Sequence, residues 1–182
     1  MEVIDNTRLV GTIITNDLTI VRKSNARMEL LRKLAVFGVP VEDMKSIYFL
    51  FVRSLLEQSS TVWHSSLTQE NRDDLERVQK SAVKIILQEN YQNYSNALNK
   101  LDIESLEERR EHLYMNFALK CLKNPRFKDM FPLNDKFHDM HTRCSEKYKV
   151  QFALNNRLQN SPVTYMQRLL NENNQDQENK PS

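Results

Sequence analysis

The chain has 182 residues, 40% of them hydrophobic and 27% charged, with 26 Lys and Arg against 24 Asp and Glu. That size suits one domain or a domain with attached segments, and the ordinary share of charge excludes disorder along the whole chain. The near balance of charge excludes the bulk basicity of a histone-like protein, so any nucleic-acid contact must come from local clusters.

Only 2 Gly and 5 Pro are present, so turns with positive φ are scarce and helices joined by polar loops are expected. In chain order, Leu9–Thr15 (LVGTIIT) is rich in β-branched residues and is followed by Asn16-Asp17. It reads as a strand whose Gly11 marks a bulge or a close backbone approach. From Val21 the period turns helical. Met28, Leu31, Leu34 and Ala35 share one face, Arg22, Arg32 and Lys33 fall away from it, and Gly38 and Pro40 mark the end.

A second helix, from about Val41 to Glu57, places Met44, Ile47, Tyr48, Phe51 and Leu55 on an inner stripe. Phe49, Leu50, Val52 and Leu56 make most of its remaining surface apolar, which predicts a helix buried at the centre of the fold. Ser59–Leu67 is a connector with the only tryptophan, Trp63. Thr68 is the expected N-cap of a third helix, with Glu70 in its first turn. Leu75, Val78, Ala82, Ile85 and Ile86 form its inner stripe, and Arg77, Lys80 and Lys84 a separate basic row.

Tyr91–Lys100 reads as a short helical segment. Ser105 and Glu108 form a capping box, a side-chain exchange that satisfies orphan amides at a helix start. The helix it opens runs to about Lys123, with Leu106, Leu113, Phe117 and Cys121 inward, and Asn124-Pro125 breaks it. Arg126–Leu158 reads as loop with one or two short turns. Ser161-Pro162 opens a last short helix to about Leu170, and NENNQDQENKPS, from Asn171 on, reads as a disordered tail.

The expected fold is therefore mainly α: an irregular helical bundle with one short N-terminal strand or hairpin and a disordered C-terminal tail. Its parts are a strand or linker over 1–20, a helical body over 21–125, a loop-rich extension with a terminal helix over 126–170, and the tail over 171–182.

The chemistry is sparse. His138, His141 and Cys144 are spaced three apart with Cys121 upstream, the start of a zinc site, but no further close pair supplies a complete ligand set. His64 beside Ser65 and Ser66 lacks the elbow of a serine hydrolase. Glu107, Glu108 and Glu111 near Arg109 and Arg110 suit the dipole of a helix start, with a local ion pair at Arg110. The two glycines lie too far apart to cradle a phosphate.

No cofactor, small-molecule substrate or complete catalytic site is expected, and so no enzyme. The two cysteines read as reduced thiols. The start MEVIDNTRLV has no basic and apolar leader pattern, and the longest apolar stretch, Ile47–Val52, is far short of a membrane span. A cytoplasmic or nuclear location is expected. Two groups of cations are candidates for nucleic-acid phosphates: Arg22, Lys23, Arg27 and Lys33 on the first helix, and Arg77, Lys80 and Lys84 on the third.

Longer strings carry a resemblance. They are LVGTIITNDL at Leu9–Leu18, NARMELLRKLAVFGVP at Asn25–Pro40, LFVRSLLEQSSTVWHSSLTQENRDDLERVQKSAVKIIL at Leu50–Leu87, LEERREHLYMNFALKCLKNPRFKDMFPLN at Leu106–Asn134 and SPVTYMQRLLN at Ser161–Asn171. Together they resemble the region after the catalytic palm in reverse transcriptases of non-LTR (LINE-like) retrotransposons, over nearly the whole chain. The resemblance implies thumb-like helices from Asn25 onward that brace template and primer by phosphate contacts, with RNA or an RNA/DNA hybrid as partner. It also implies apolar surface that meets the polymerase palm or a second copy of the chain.

The F/Y-x-D-D turn that holds the metal ions in that family does not occur here; Asp73-Asp74 follows Asn71-Arg72 at a helix start. The stretch DLTIVRKSNARM is shorter than its family counterpart. The expectation is a non-catalytic, C-terminal polymerase fragment with sequence-independent affinity for RNA or DNA; the alternative is a helical interaction or self-associating module derived from a mobile element.

Overall fold

The computed structural model describes residues 6–9, 12–15, 19–134, 147–150 and 159–178. The fold is mainly α, as expected. Its helices are α1 (Thr19–Val36), α2 (Val41–Ile47), a π-helical segment (Tyr48–Arg53), α3 (Ser54–Glu57), α4 (Ser60–Trp63), α5 (Gln69–Leu87), α6 (Tyr94–Leu101), α7 (Leu106–Lys123) and α8 (Pro162–Glu178). Ahead of α1, Asn6–Leu9 is traced antiparallel to Thr12–Thr15, but the fold class rests on the helices. Gly11 lies outside the described residues.

The chain divides into two compact units: Met1–Ser60 with Leu67–Arg110, and Thr61–Ser66 with Glu111–Ser182. The expected helical body over 21–125 is thus split at Arg110. In the first unit α1 packs along α5, and the π-helical segment packs on α1. Met28 and Leu31 of α1 and Leu75, Ala82 and Ile86 of α5 are buried, each contributing about 1–3 kcal/mol by leaving water.

α1 stops where the sequence said it would. Gly38 has φ of 71°, its N–H donates to the Ala35 carbonyl at 3.1 Å, and Val39 N–H donates to Leu34 at 3.3 Å. This pair of bonds is a Schellman cap, which favours glycine in the left-handed position. The Thr68 cap forms as expected, its hydroxyl accepting from Asn71 N–H at 3.3 Å. So does the capping box, with Glu108 N–H donating to Ser105 Oγ at 3.2 Å and Ser105 N–H to Glu108 Oε2 at 3.1 Å.

The expected helix over 41–57 is corrected in two respects. It widens at Tyr48–Arg53 into π-helix, where Ser54 N–H reaches back five residues to the Phe49 carbonyl. Its buried stripe is Met44, Tyr48, Val52 and Leu56, an unbroken four-residue spacing that the wider turn keeps in line. Phe51, expected inward, is 48% exposed and Leu50 is 70% exposed, so the helix is not buried all round.

In the second unit, Tyr114, Ala118 and Cys121 of α7 pack with Phe131 and with Met166 and Leu170 of α8. Phe117, expected inward, is exposed, because Tyr114, Ala118 and Cys121 hold the inner phase of α7. A 3-10 turn fills Pro125–Met130, one of the short turns expected after Lys123. The tail expected from Asn171 is helical through Glu178. The side chain of Asn171, only 4% exposed, anchors this turn by accepting from Tyr148 N–H at 2.8 Å and donating to the Tyr148 carbonyl at 3.0 Å.

Candidate nucleic-acid interface

All seven candidate cations belong to the first unit and all are exposed. On α5, Arg77, Lys80 and Lys84 lie on the side opposite the buried stripe of Leu75, Ala82 and Ile86. Two of the three are engaged locally. Arg77 Nη1 meets Asp74 Oδ1 at 2.7 Å, and the Lys80 ammonium lies 5.2 Å from the centre of the Tyr94 ring. Such contacts on an exposed surface are worth about 1 kcal/mol or less, so both side chains stay available to a phosphate.

On α1, Arg22, Lys23 and Lys33 lie off the buried Met28–Leu31 stripe, and Arg27, one turn before Leu31, borders it; all four are exposed. Arg27 Nη1 donates to the Phe51 carbonyl at 2.6 Å, which pins this guanidinium beside the π-helical segment. The α5 row points away from the surface by which α5 packs, so the two rows are not brought into one cleft. They are two basic faces on one helical body.

Three exposed apolar residues lie among the α1 cations and were not anticipated as site residues: Leu30 at 41%, Phe37 at 81% and Phe51 at 48%. The signal for the first two is present in the sequence. Lys23, Arg27, Leu30 and Phe37 recur at helical spacing and lie off the Met28–Leu31 stripe.

Beneath this surface lies a buried polar cluster that the sequence reading missed. Tyr48 donates to Gln79 Oε1 at 2.6 Å; Gln79 Nε2 donates to the Tyr94 hydroxyl at 3.0 Å and to the Glu104 carbonyl at 2.8 Å. The Tyr94 hydroxyl donates to the Glu76 carboxylate, which also accepts from Leu106 N–H at 3.4 Å.

Arg110, expected in a local pair with Glu107, is instead fully buried, and none of its guanidinium nitrogens has a hydrogen-bond partner among the described residues. Glu107 pairs with Arg72 at 3.0 Å, and Arg109 with Glu57 at 3.3 Å. Burial pulls the Arg110 guanidinium below the ordinary arginine range, and the nearby carboxylates of Glu76 and Glu107 oppose that. This is a structural charge cluster beneath the surface.

Of the remaining candidates, those among the described residues make packing and local hydrogen-bond contacts. His64 packs its ring against Tyr114 and Tyr165, at 6.0 and 5.9 Å between centres, and Ser65 Oγ accepts from the Tyr114 hydroxyl at 3.3 Å. Asp73 accepts from Gln69 at 3.1 Å, and Asp74 holds Arg77. His138, His141 and Cys144 lie outside the described residues. Cys121 is buried in the core of the second unit, and burial raises its thiol pKa.

Among the described residues no three His, Cys, Asp or Glu side chains are grouped to hold a metal ion, and no helix is long and apolar enough to cross a membrane. Compared with models of protein families, with curated proteins and with solved structures, the chain matches none.

Proposed function

We propose that the chain is the thumb-like, C-terminal part of a non-LTR retrotransposon reverse transcriptase, non-catalytic by itself, that holds RNA or an RNA/DNA hybrid through phosphate contacts. The reading draws on the resemblance of Asn25–Pro40 and Leu50–Leu87 to the region after the palm. The observation that carries the binding half is the exposure of all seven cations on α1 and α5 of one unit. Cations on helix faces neutralise phosphates and release counterions, which gives affinity without base reading. A cytoplasmic or nuclear setting suits this activity.

The test is titration of the purified chain with labelled RNA over a range of potassium chloride. The logarithm of affinity should fall linearly with the logarithm of salt, with little dependence on sequence. Binding at low salt no tighter than that of serum albumin would overturn the reading.

One observation favours a second reading, a self-associating module. Val36 and Phe37 at the end of α1 are 86% and 81% exposed, and Leu50 is 70% exposed. Large exposed apolar side chains attract partners. Light scattering over a concentration series separates the two, since a monomer at all concentrations removes this alternative.

A further inference from the structure

We infer that the outer face of α1 binds single-stranded nucleic acid, with phosphates on Lys23, Arg27 and Lys33 and bases stacked on Phe37 and Phe51. This rests on the function proposed above and names its ligand class. Lys23, Arg27, Leu30, Leu34 and Phe37 follow one another at intervals of four, three, four and three, which keeps them on one side of the helix. Lys33 lies one turn before Phe37, whose N–H donates to the Lys33 carbonyl at 3.2 Å. The Arg27–Phe51 bond of 2.6 Å brings the π-helical segment alongside. Phe37 and Phe51 thus flank the cations while remaining 81% and 48% exposed.

Charge complementarity selects the occupant. The one acidic residue of α1, Glu29, lies one turn before Lys33 and is paired with Arg32 at 2.6 Å, so no carboxylate of α1 stands on the side that carries Lys23 and Arg27. A polyanion fits that face. The exposed phenyl rings then favour a single strand, because its bases are free to stack on them, whereas duplex bases already stack on each other. A helix lying on an anionic membrane separates its cations from its apolar side chains around the circumference. On α1 the cations Lys23 and Arg27 and the apolar Leu30 and Phe37 follow one another along the same side, so the two kinds are not divided around the circumference and no apolar face runs the length of the helix.

The experiment measures anisotropy of the full chain with three labelled probes: oligouridine, an abasic strand of equal length, and a duplex RNA. Oligouridine should bind most tightly. Phe37→Ala should weaken oligouridine about fivefold or more and leave the abasic strand unchanged, as loss of a stacking platform does. Lys23→Gln and Lys33→Gln should each lower the salt slope for the single strand by about 0.7. Phe37 is too exposed for its removal to open the core.

Equal binding of all three probes, unaffected by Phe37→Ala, overturns the inference while leaving salt-sensitive phosphate binding in place. Absence of binding to every probe overturns that broader reading as well. Phosphatidylserine vesicles captured through Phe37 with oligouridine ignored, or a dimer dissociated by Phe37→Ala with oligouridine affinity unchanged, also overturns it.

Discussion

The hydroxyl of Tyr48 donates to Oε1 of Gln79 at 2.6 Å, and both side chains are fully buried. The bond ties the π-helical segment to α5, and through the two other bonds of Gln79 it reaches Tyr94 and the backbone of Glu104. A buried amide with three partners fixes one arrangement of three chain segments, because each alternative packing strands a polar atom.

Tyr48→Phe should therefore destabilise the chain by about 1–3 kcal/mol, the cost of leaving Gln79 Oε1 buried without its donor. Gln79→Ala should cost more, since it abandons the Tyr48 and Tyr94 hydroxyls and the Glu104 carbonyl together and opens a void. In urea unfolding followed by circular dichroism, the double variant should be less destabilised than the sum of the two. Additive losses would show that the bond carries no coupling.

Arg110 and Glu76 make a second prediction. The guanidinium is fully buried and Glu76 Oε2 is also without a hydrogen-bond partner among the described residues, while Glu76 is the leading carboxylate acting on Arg110. Arg110→Met removes one charge and leaves the other buried, which should cost about 3–5 kcal/mol. Adding Glu76→Gln should recover part of that loss, because the amide keeps an acceptor for Tyr94 and carries no charge. Urea midpoints of the single and double variants test this, and a double variant weaker than Arg110→Met alone would count against charge pairing.

The stability of the chain should fall at alkaline pH for a reason visible in three tyrosines. Burial raises Tyr114 to about 12, and burial likewise raises Tyr48 and Tyr94, the latter helped by its bond to Glu76. In the unfolded chain these phenols titrate near 10.0. Above that pH the unfolded state releases protons that the folded state retains, so unfolding becomes easier. Stability from these groups is complete below about pH 10 and declines as pH rises toward their folded values. Tyr114→Phe should flatten the loss between pH 10 and about 12 in urea midpoints measured across that range.

Signals contained within one helical turn were legible in the sequence. Thr68, the Ser105–Glu108 box and Gly38 act on amides and carbonyls a few residues away, and each does what its residue type dictates. The phase of the second helix was not legible. The π-helical turn moves the inward positions from Phe51 and Leu55 to Val52 and Leu56, and it arises from packing that no local residue declares. On α7 the ranking by hydrophobicity chose Phe117, whereas Ala118 and the buried Arg110 hold the inner phase. Asn171 read as tail because its partner, Tyr148, lies 23 residues away. The basic half of the candidate interface was legible, since exposed cations are the default. Its aromatic half was legible only in part: Phe37 lies off the Met28–Leu31 stripe, whereas Phe51, within an apolar helical pattern, reads as core until the structure shows it 48% exposed.

Two helix ends in the first unit permit a matched test of backbone strain. At the end of α1, Gly38 has φ of 71°; at the end of α6, Asp102 has φ of 51° and makes the same pair of bonds, Asp102 N–H to Asn99 at 3.2 Å and Ile103 N–H to Leu98 at 3.0 Å. A Cβ at Gly38 would meet no atom within 4 Å, so Gly38→Ala changes conformational preference and not packing. It should cost about 1 kcal/mol, the penalty of a side chain in the left-handed region. Asp102→Gly runs the comparison in reverse and relieves that penalty, but it also gives the unfolded chain more freedom, and aspartate tolerates this region better than most residues. Its gain should therefore be smaller than the Gly38→Ala loss, about 0.5 kcal/mol or less. Urea midpoints of both variants check the pair. A destabilised Asp102→Gly would mean that the aspartate side chain contributes something the backbone geometry does not require.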